Sequence, residues 1–374
     1  MNKFKTVFKI NFDKNRIYGL DILRAVAIFV VVLGHGSNLL SVNVENLTAM
    51  FIPDGVGIFF VLSGFLIGGI LIKILENEQP TLNTLHKFWT RRWIRTLPLY
   101  YFVLILLIVL NCLFDKGFSI WETKHFFYFG QNFYQAGLSF FLVSWSLAVE
   151  EWFYLLIPII IFTNIAVLKL KPRQGVLSTA ITVILLTIAY RYYRYTTINV
   201  DSVEIFGKMF RNAVITRLDS LMFGVTGAWL FYYKQLYWIK NKTRFFIAGI
   251  ILHVTIKIFT DFIFINSAFY FCNFSFILEA VATLLLLPFL SQLKAAEGIT
   301  YKIITIISLI SYSMYLLHAE IVKNWIIWFI NLPGINNIPA LTIKYILYWV
   351  LTIILSILSY KYIEMPFMKL RNKK

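Results

Sequence analysis

The sequence predicts an all-α, polytopic transmembrane bundle of about ten helices with both termini in the cytoplasm. Three observations lead there. Hydrophobic residues make up 59% of the 374 and charged residues only 14%, with mean hydropathy +0.73, whereas soluble domains hold about one half and about one quarter. Apolar runs of about eighteen residues or more, the length that crosses a bilayer, recur along the chain. Lys and Arg gather at the ends of those runs, 24 in one set of alternate loops and 8 in the other, a positive-inside bias that puts both ends inside.

The first sixteen residues hold Lys3, Lys5, Lys9, Lys14 and Arg16 and no small-residue cleavage site. They read as a basic cytoplasmic segment on the membrane surface, ahead of an uncleaved signal anchor. Candidate spans follow near 17–38, 55–75, 97–114, 144–168, 176–195, 212–232, 245–264, 270–291, 303–330 and 343–363. No linker, repeat or low-complexity tract divides them, so residues 17–367 form one membrane domain and 368–374 a basic cytoplasmic tail. The net charge of +17 would suit nucleic acid, but its placement at span ends argues for lipid and against nucleic acid. Cys112 and Cys272 lie in or beside apolar spans and read as small buried hydrophobes, with no metal or thiol chemistry implied. The segment from Arg191 to Arg217 is the exception to the charge bias: either the spans are miscounted there or the far side carries a functional basic surface.

The opening span, IYGLDILRAVAIFVVVLGHGSN, carries Asp21, Arg24 and His35. Arg24 and His35 lie within about 20° of one helix face and about 16 Å apart along it. Such groups are kept at membrane depth only where they face a polar interior. His35 would stand near mid-membrane, where an imidazole titrating near neutrality can act as a base; the plainer role is a hydrogen bond between helices. In the second span Gly64 and Gly68 are spaced for close helix packing, and Ser63 offers a hydroxyl. The loop after it carries Arg91, Arg92 and Arg95 among Trp89 and Trp93. These serve either as a positive-inside anchor with an aromatic belt or as a phosphate and base recognition set. The fourth span opens SWSLAVEEWFY, and since neighbours on a helix are about 100° apart, only one of Glu150 and Glu151 can face the His35 side. Arg217 and Asp219 enter the sixth span from the outer side. His318, Glu320 and Lys323 lie inside the ninth, and Glu364 reads as a helix-end carboxylate paired with a basic neighbour.

Seven stretches in one order resemble the acyltransferase 3 family of membrane acyltransferases. They are Arg24 with His35, FFVLSGFLI at 59–67, RRWIR at 91–95, WSLAVEEWFYL at 145–155, RLDSLMFG at 217–224, SYSMYLLH at 311–318 and IEMP at 363–366. The resemblance implies a multi-pass enzyme of the bacterial cytoplasmic membrane, moving an acyl group, most often acetyl, from acyl-CoA to a hydroxyl of a carbohydrate. O-antigen of lipopolysaccharide, exopolysaccharide, peptidoglycan and smaller glycosides are the acceptors it suggests. Many members carry a second, extracytoplasmic domain, and this chain looks like the form without one. No cofactor stays bound; acyl-CoA is a substrate. His35 matches the family's essential histidine and Arg24 the arginine paired with it.

Hydroxyl acylation by a thioester needs a base, donors for the developing oxyanion and a grip on the CoA phosphates. His35 is then the base, oriented by Glu150 or Glu151. Arg24, Arg91, Arg92 and Arg95 hold acyl-CoA, while Arg217, Asp219, His318 and Ser63 meet the acceptor. Direct transfer and an acyl-histidine relay both fit. The competing classes are a transporter or flippase of a glycan intermediate, which would show repeated halves, and a structural subunit of a polysaccharide synthesis complex.

Overall fold

A computed structural model describes residues 16–40, 53–137, 140–260, 267–294, 296–330 and 338–371. Most of the basic N-terminal segment and the end of the tail lie outside them. Every regular element among the described residues is helical. The principal ones are α1 Tyr18–Leu39, α2 Gly55–Asn77, α3 Leu82–Phe114, α4 Ser144–Leu168, α5 Pro172–Thr197, α6 Leu218–Tyr233, α7 Lys242–Ile258, α8 Ala268–Leu290, α9 Ile299–Ile327 and α10 Pro339–Leu370. Eight of them are long and apolar enough to cross a membrane. The helices α6 and α7, with 16 and 17 residues, fall short of that length but occupy the sixth and seventh expected positions. This is a multi-pass membrane protein.

Helix α3 differs most from expectation. The span at 97–114 is the second half of a 33-residue helix, so Arg91, Arg92 and Arg95 ride on a helix and not in a loop. Thr81 caps its start, the Thr84 amide donating to its hydroxyl at 3.3 Å, and no helix breaker intervenes before Pro98. The polar first half escapes a count of apolar runs but is a sound helix former. Further along, Phe102, Ile105 and Val109 stand exposed on one side, the apolar face a bilayer requires. Cys112, expected to be buried, is exposed on this helix, while Cys272 is buried; both are free.

Between α2 and α6 the backbones touch. A Cβ on Gly64 would sit 1.8 Å from the Leu221 carbonyl oxygen, and one on Gly224 2.1 Å from that of Val61. Glycine is the residue that permits this approach. Three cations of the Arg191–Arg217 segment belong to a charged core, Arg191, Arg194 and Arg217 being at most 1% exposed, while Lys208 and Arg211 are exposed. Arg191 pairs with Asp219 at 2.7 Å and donates to the Thr216 carbonyl at 2.9 Å. Arg194 donates to the Tyr134 carbonyl at 2.7 Å, and Arg217 reaches Asp54 at 3.5 Å with its guanidinium 4.1 Å from the centre of the Phe276 ring. A charge-bias count cannot tell a loop cation from one drawn into the core.

Two other charged groups also find partners inside the protein. Asp21 is buried and takes the Arg16 guanidinium and, at 2.7 Å, the Ser308 hydroxyl of α9. Glu364 is buried too; its hydrogen-bond partner is the Ser313 hydroxyl, and the basic Arg95 acts on it only electrostatically. Removing one member of a buried ion pair costs about 3–5 kcal/mol, so Asp219→Ala will lower the thermal unfolding midpoint of the purified protein sharply. Gly64→Val will cost about 1–3 kcal/mol or more through overpacking, whereas Gly69→Ala, with nothing within 4 Å of the added carbon, will leave the melting curve unchanged.

Candidate active site

Five helices converge on a cavity of about 120 Å³. Helix α1 contributes Arg24, α2 Ser63, α3 Arg92, Arg95 and Thr96, α4 Ser146, Glu150 and Tyr154, and α9 Ser311, Tyr312 and Tyr315, over an apolar floor that includes Phe59 and Phe60. The spacing on α3 explains the arginines: positions three apart share a helix face, so Arg92 and Arg95 point inward together while Arg91 is exposed. The same geometry separates the glutamates. Glu150 lines the cavity and accepts the Tyr154 hydroxyl. Glu151 turns away, accepts Thr96 Oγ1 at 2.8 Å and borders a shallow aromatic depression with Trp93, Tyr101 and Trp152.

Hydroxyl groups hold the walls. Ser63 and Tyr154 share a hydrogen bond of 2.7 Å, Trp89 Nε1 donates to the Tyr154 carbonyl at 3.0 Å, and Tyr312 donates to the Thr96 carbonyl at 2.7 Å. Ser146 and Tyr315 are bonded to each other at 2.5 Å. Among the charged residues lining the cavity, three guanidinium groups face one carboxylate. That excess suits an anion, and guanidinium forks recognise phosphate by paired hydrogen bonds.

His35 stands outside this lining, near the other end of α1. Its Nδ1 lies 2.7 Å from Nε2 of His318, with ring centres 5.0 Å apart and planes 24° from parallel. His35 is exposed and His318 fully buried. The bridge to the cavity is Tyr315, which lines it and whose ring centre lies 5.9 Å from that of His318. The structure thus brings Arg24, Arg92, Arg95, Glu150 and Ser63 together in one place and His35 with His318 in another. Arg217 and Asp219 sit in the ion pairs already described. The sequence reading gave no role to Thr96, Tyr154, Tyr312 or Tyr315. The signal for one was there: Tyr154 follows Glu150 by four residues, on the same helix face.

A family model described as an acyltransferase domain matches residues 17–361. The chain belongs to that family. Its relatives include a Staphylococcus aureus (strain COL) protein whose name gives O-acetyltransferase as a provisional activity, 30% identical over 99% of this chain and 60% of the relative. The O-acetyltransferase OatA of Staphylococcus aureus (strain NCTC 8325 / PS 47) is 28% identical over 98% of this chain and 59% of its own length. The chain therefore spans about three fifths of the curated relatives it matches. It matches no solved structure. Glu150→Gln removes the one carboxylate that the described residues place in the cavity lining, so it will strengthen retention of inorganic pyrophosphate by the purified protein, whereas Glu151→Gln will not; equilibrium dialysis reads the difference.

Proposed function

We propose that the chain is an O-acetyltransferase of the bacterial cytoplasmic membrane, which moves an acetyl group from cytoplasmic acyl-CoA to a hydroxyl of a cell-surface carbohydrate. The observation that carries this reading is the cavity with its excess of arginine in a chain of the acyltransferase family. The names of its relatives supply the acetyl group and the oxygen acceptor. The asymmetry of Lys and Arg along the sequence argues for the arginine end of α1 on the cytoplasmic side, where acyl-CoA is available.

In the proposed reaction Arg24, Arg92 and Arg95 hold phosphate oxygens of the donor. The cavity has room for only part of such a molecule, so the rest extends beyond it. His35 takes the proton of the acceptor hydroxyl as its oxygen attacks the thioester carbonyl carbon. The carbon–sulfur bond then breaks, the thiolate leaves and receives the proton, and the products are an ester and free CoA. General-base catalysis contributes roughly 10²- to 10⁴-fold.

His35→Ala, purified and shown to be folded by size exclusion, will transfer label from acetyl-CoA at least about a hundredfold more slowly than the unaltered protein. Activity near the original level would remove His35 from the reaction. Loss of a charged hydrogen bond is worth about 1.5–3 kcal/mol, so Arg92→Ala will raise the KM for acetyl-CoA roughly tenfold or more, while Arg91→Ala stays within about twofold. Mass spectrometry of surface glycan from a deletion strain will show loss of acetyl groups from an intact polymer, where a transporter or scaffold would lose the polymer itself.

A further inference from the structure

The hydrogen bonds around His318 fix which nitrogen of His35 carries its proton. Nδ1 of His318 lies 2.9 Å from the carbonyl oxygen of Met314. A carbonyl can only accept, so Nδ1–H is the donor. His318 is fully buried, and with no carboxylate among its hydrogen-bond partners in the described residues the ring is neutral, because an unpaired buried charge is costly. A neutral imidazole protonated at Nδ1 has an acceptor at Nε2. That acceptor is the atom 2.7 Å from Nδ1 of His35, so His35 donates from Nδ1 and keeps an open lone pair on Nε2.

We infer that His318 is a positioning residue, which holds the His35 ring in the one tautomer able to receive a proton at Nε2. The inference rests on the reading of His35 as the base and gives His318 a task other than contact with the acceptor. Geometry on both sides supports it. The backbone amide of His318 also donates to the Met314 carbonyl, so one oxygen anchors both main chain and ring. From His318 to Ile327 the helix widens to a π-helix, a departure that often marks functional positions. Within that stretch Lys323 Nζ donates to the His35 carbonyl at 2.8 Å, and Tyr348 of α10 donates to the Val32 carbonyl at 2.9 Å. The end of α1 is therefore tied down beside the ring that orients its histidine.

The role resembles that of the carboxylate in a serine-protease triad, where the second ring nitrogen is held so that the first can work. Here the holder is a neutral ring. When the acceptor hydroxyl gives its proton to Nε2, the Nδ1–H bond to His318 stays in place and no proton need pass to His318.

The test uses the full-length protein labelled with ¹⁵N-histidine, the His35 signals being those missing from His35→Ala. Solid-state spectra of the unaltered protein will show His35 with Nδ1 protonated and Nε2 bare. In His318→Phe the His35 signals will report a mixture of tautomers, and kcat will fall roughly tenfold or more with little change in either KM, since binding is untouched. His318→Gln, whose side-chain oxygen can accept from His35, will recover most of the rate. A bare Nδ1 on His35 in the unaltered protein overturns the inference without need of any variant. So does His318→Phe with kcat within twofold and unchanged His35 signals while His35→Ala is inactive. An active His35→Ala instead overturns the function proposed above, so the two failures are distinguishable.

Discussion

A polar or charged group inside a protein that is surrounded by hydrocarbon has no water to fall back on, and each one must be answered by another group or stand in a cavity. The charges within the bundle, buried or half-buried, divide along that line. Asp21 is met by Arg16 and Ser308, Asp219 by Arg191, Asp54 by Arg217 and Glu364 by Ser313. Each of these joins two elements and holds them in register. Arg24 and Arg95 are different: among the described residues they have no hydrogen bond or ion pair, and both line the cavity. The same arginine chemistry thus serves the fold where it is paired and lines the candidate site where it is not.

Helix geometry does the sorting. Arg91, Arg92 and Arg95 differ by one to four positions, yet Arg91 is exposed and the other two share an inward face. Glu150 and Glu151, one position apart, find different partners about 100° around α4, the first Tyr154 and the second Thr96. The close approach of α2 and α6 at Gly64 and Gly224 belongs to this frame, because α2 also carries Ser63 and Phe59 to the cavity wall. A Cβ at Gly64 would push the two helices apart and move one side of the site.

Much of this frame could be read in the sequence, and the reason is periodicity. Apolar runs located the ten principal helices among the described residues, eight of them long and apolar enough to cross a membrane, and placed Arg24 and His35 on α1, though only Arg24 lines the cavity. What periodicity cannot supply is the partner. Asp21 shares a helix face with Arg24, but its charge is answered by Arg16 and by Ser308, which lies 287 positions away. His35 and His318 are 283 positions apart, and no spacing rule links them. The polar first half of α3 was hidden for a related reason: a search for apolar runs cannot see a helix whose first turns carry His86, Lys87, Arg91, Arg92 and Arg95. The Arg191 to Arg217 segment misled in the opposite way, since a count of cations by loop assumes that they face water or lipid headgroups, and three of these face the core.

The distance between the arginines and the histidine pair follows from their places on one helix. Arg24 and His35 are about 16 Å apart along α1, with Tyr315 touching the cavity on one side and the His318 ring on the other. Under the proposed reading, a donor held at the arginines by its phosphates must present its reactive carbon far from those charges. A compact acyl phosphate has its carbonyl next to the anion and could not satisfy both ends. A thioester on a long uncharged arm could, and acyl-CoA is built that way. If His35 is the base proposed above, the separation also serves the chemistry: three guanidinium groups beside it would oppose the positive charge of a protonated ring, and placing them at the far end of α1 weakens that opposition.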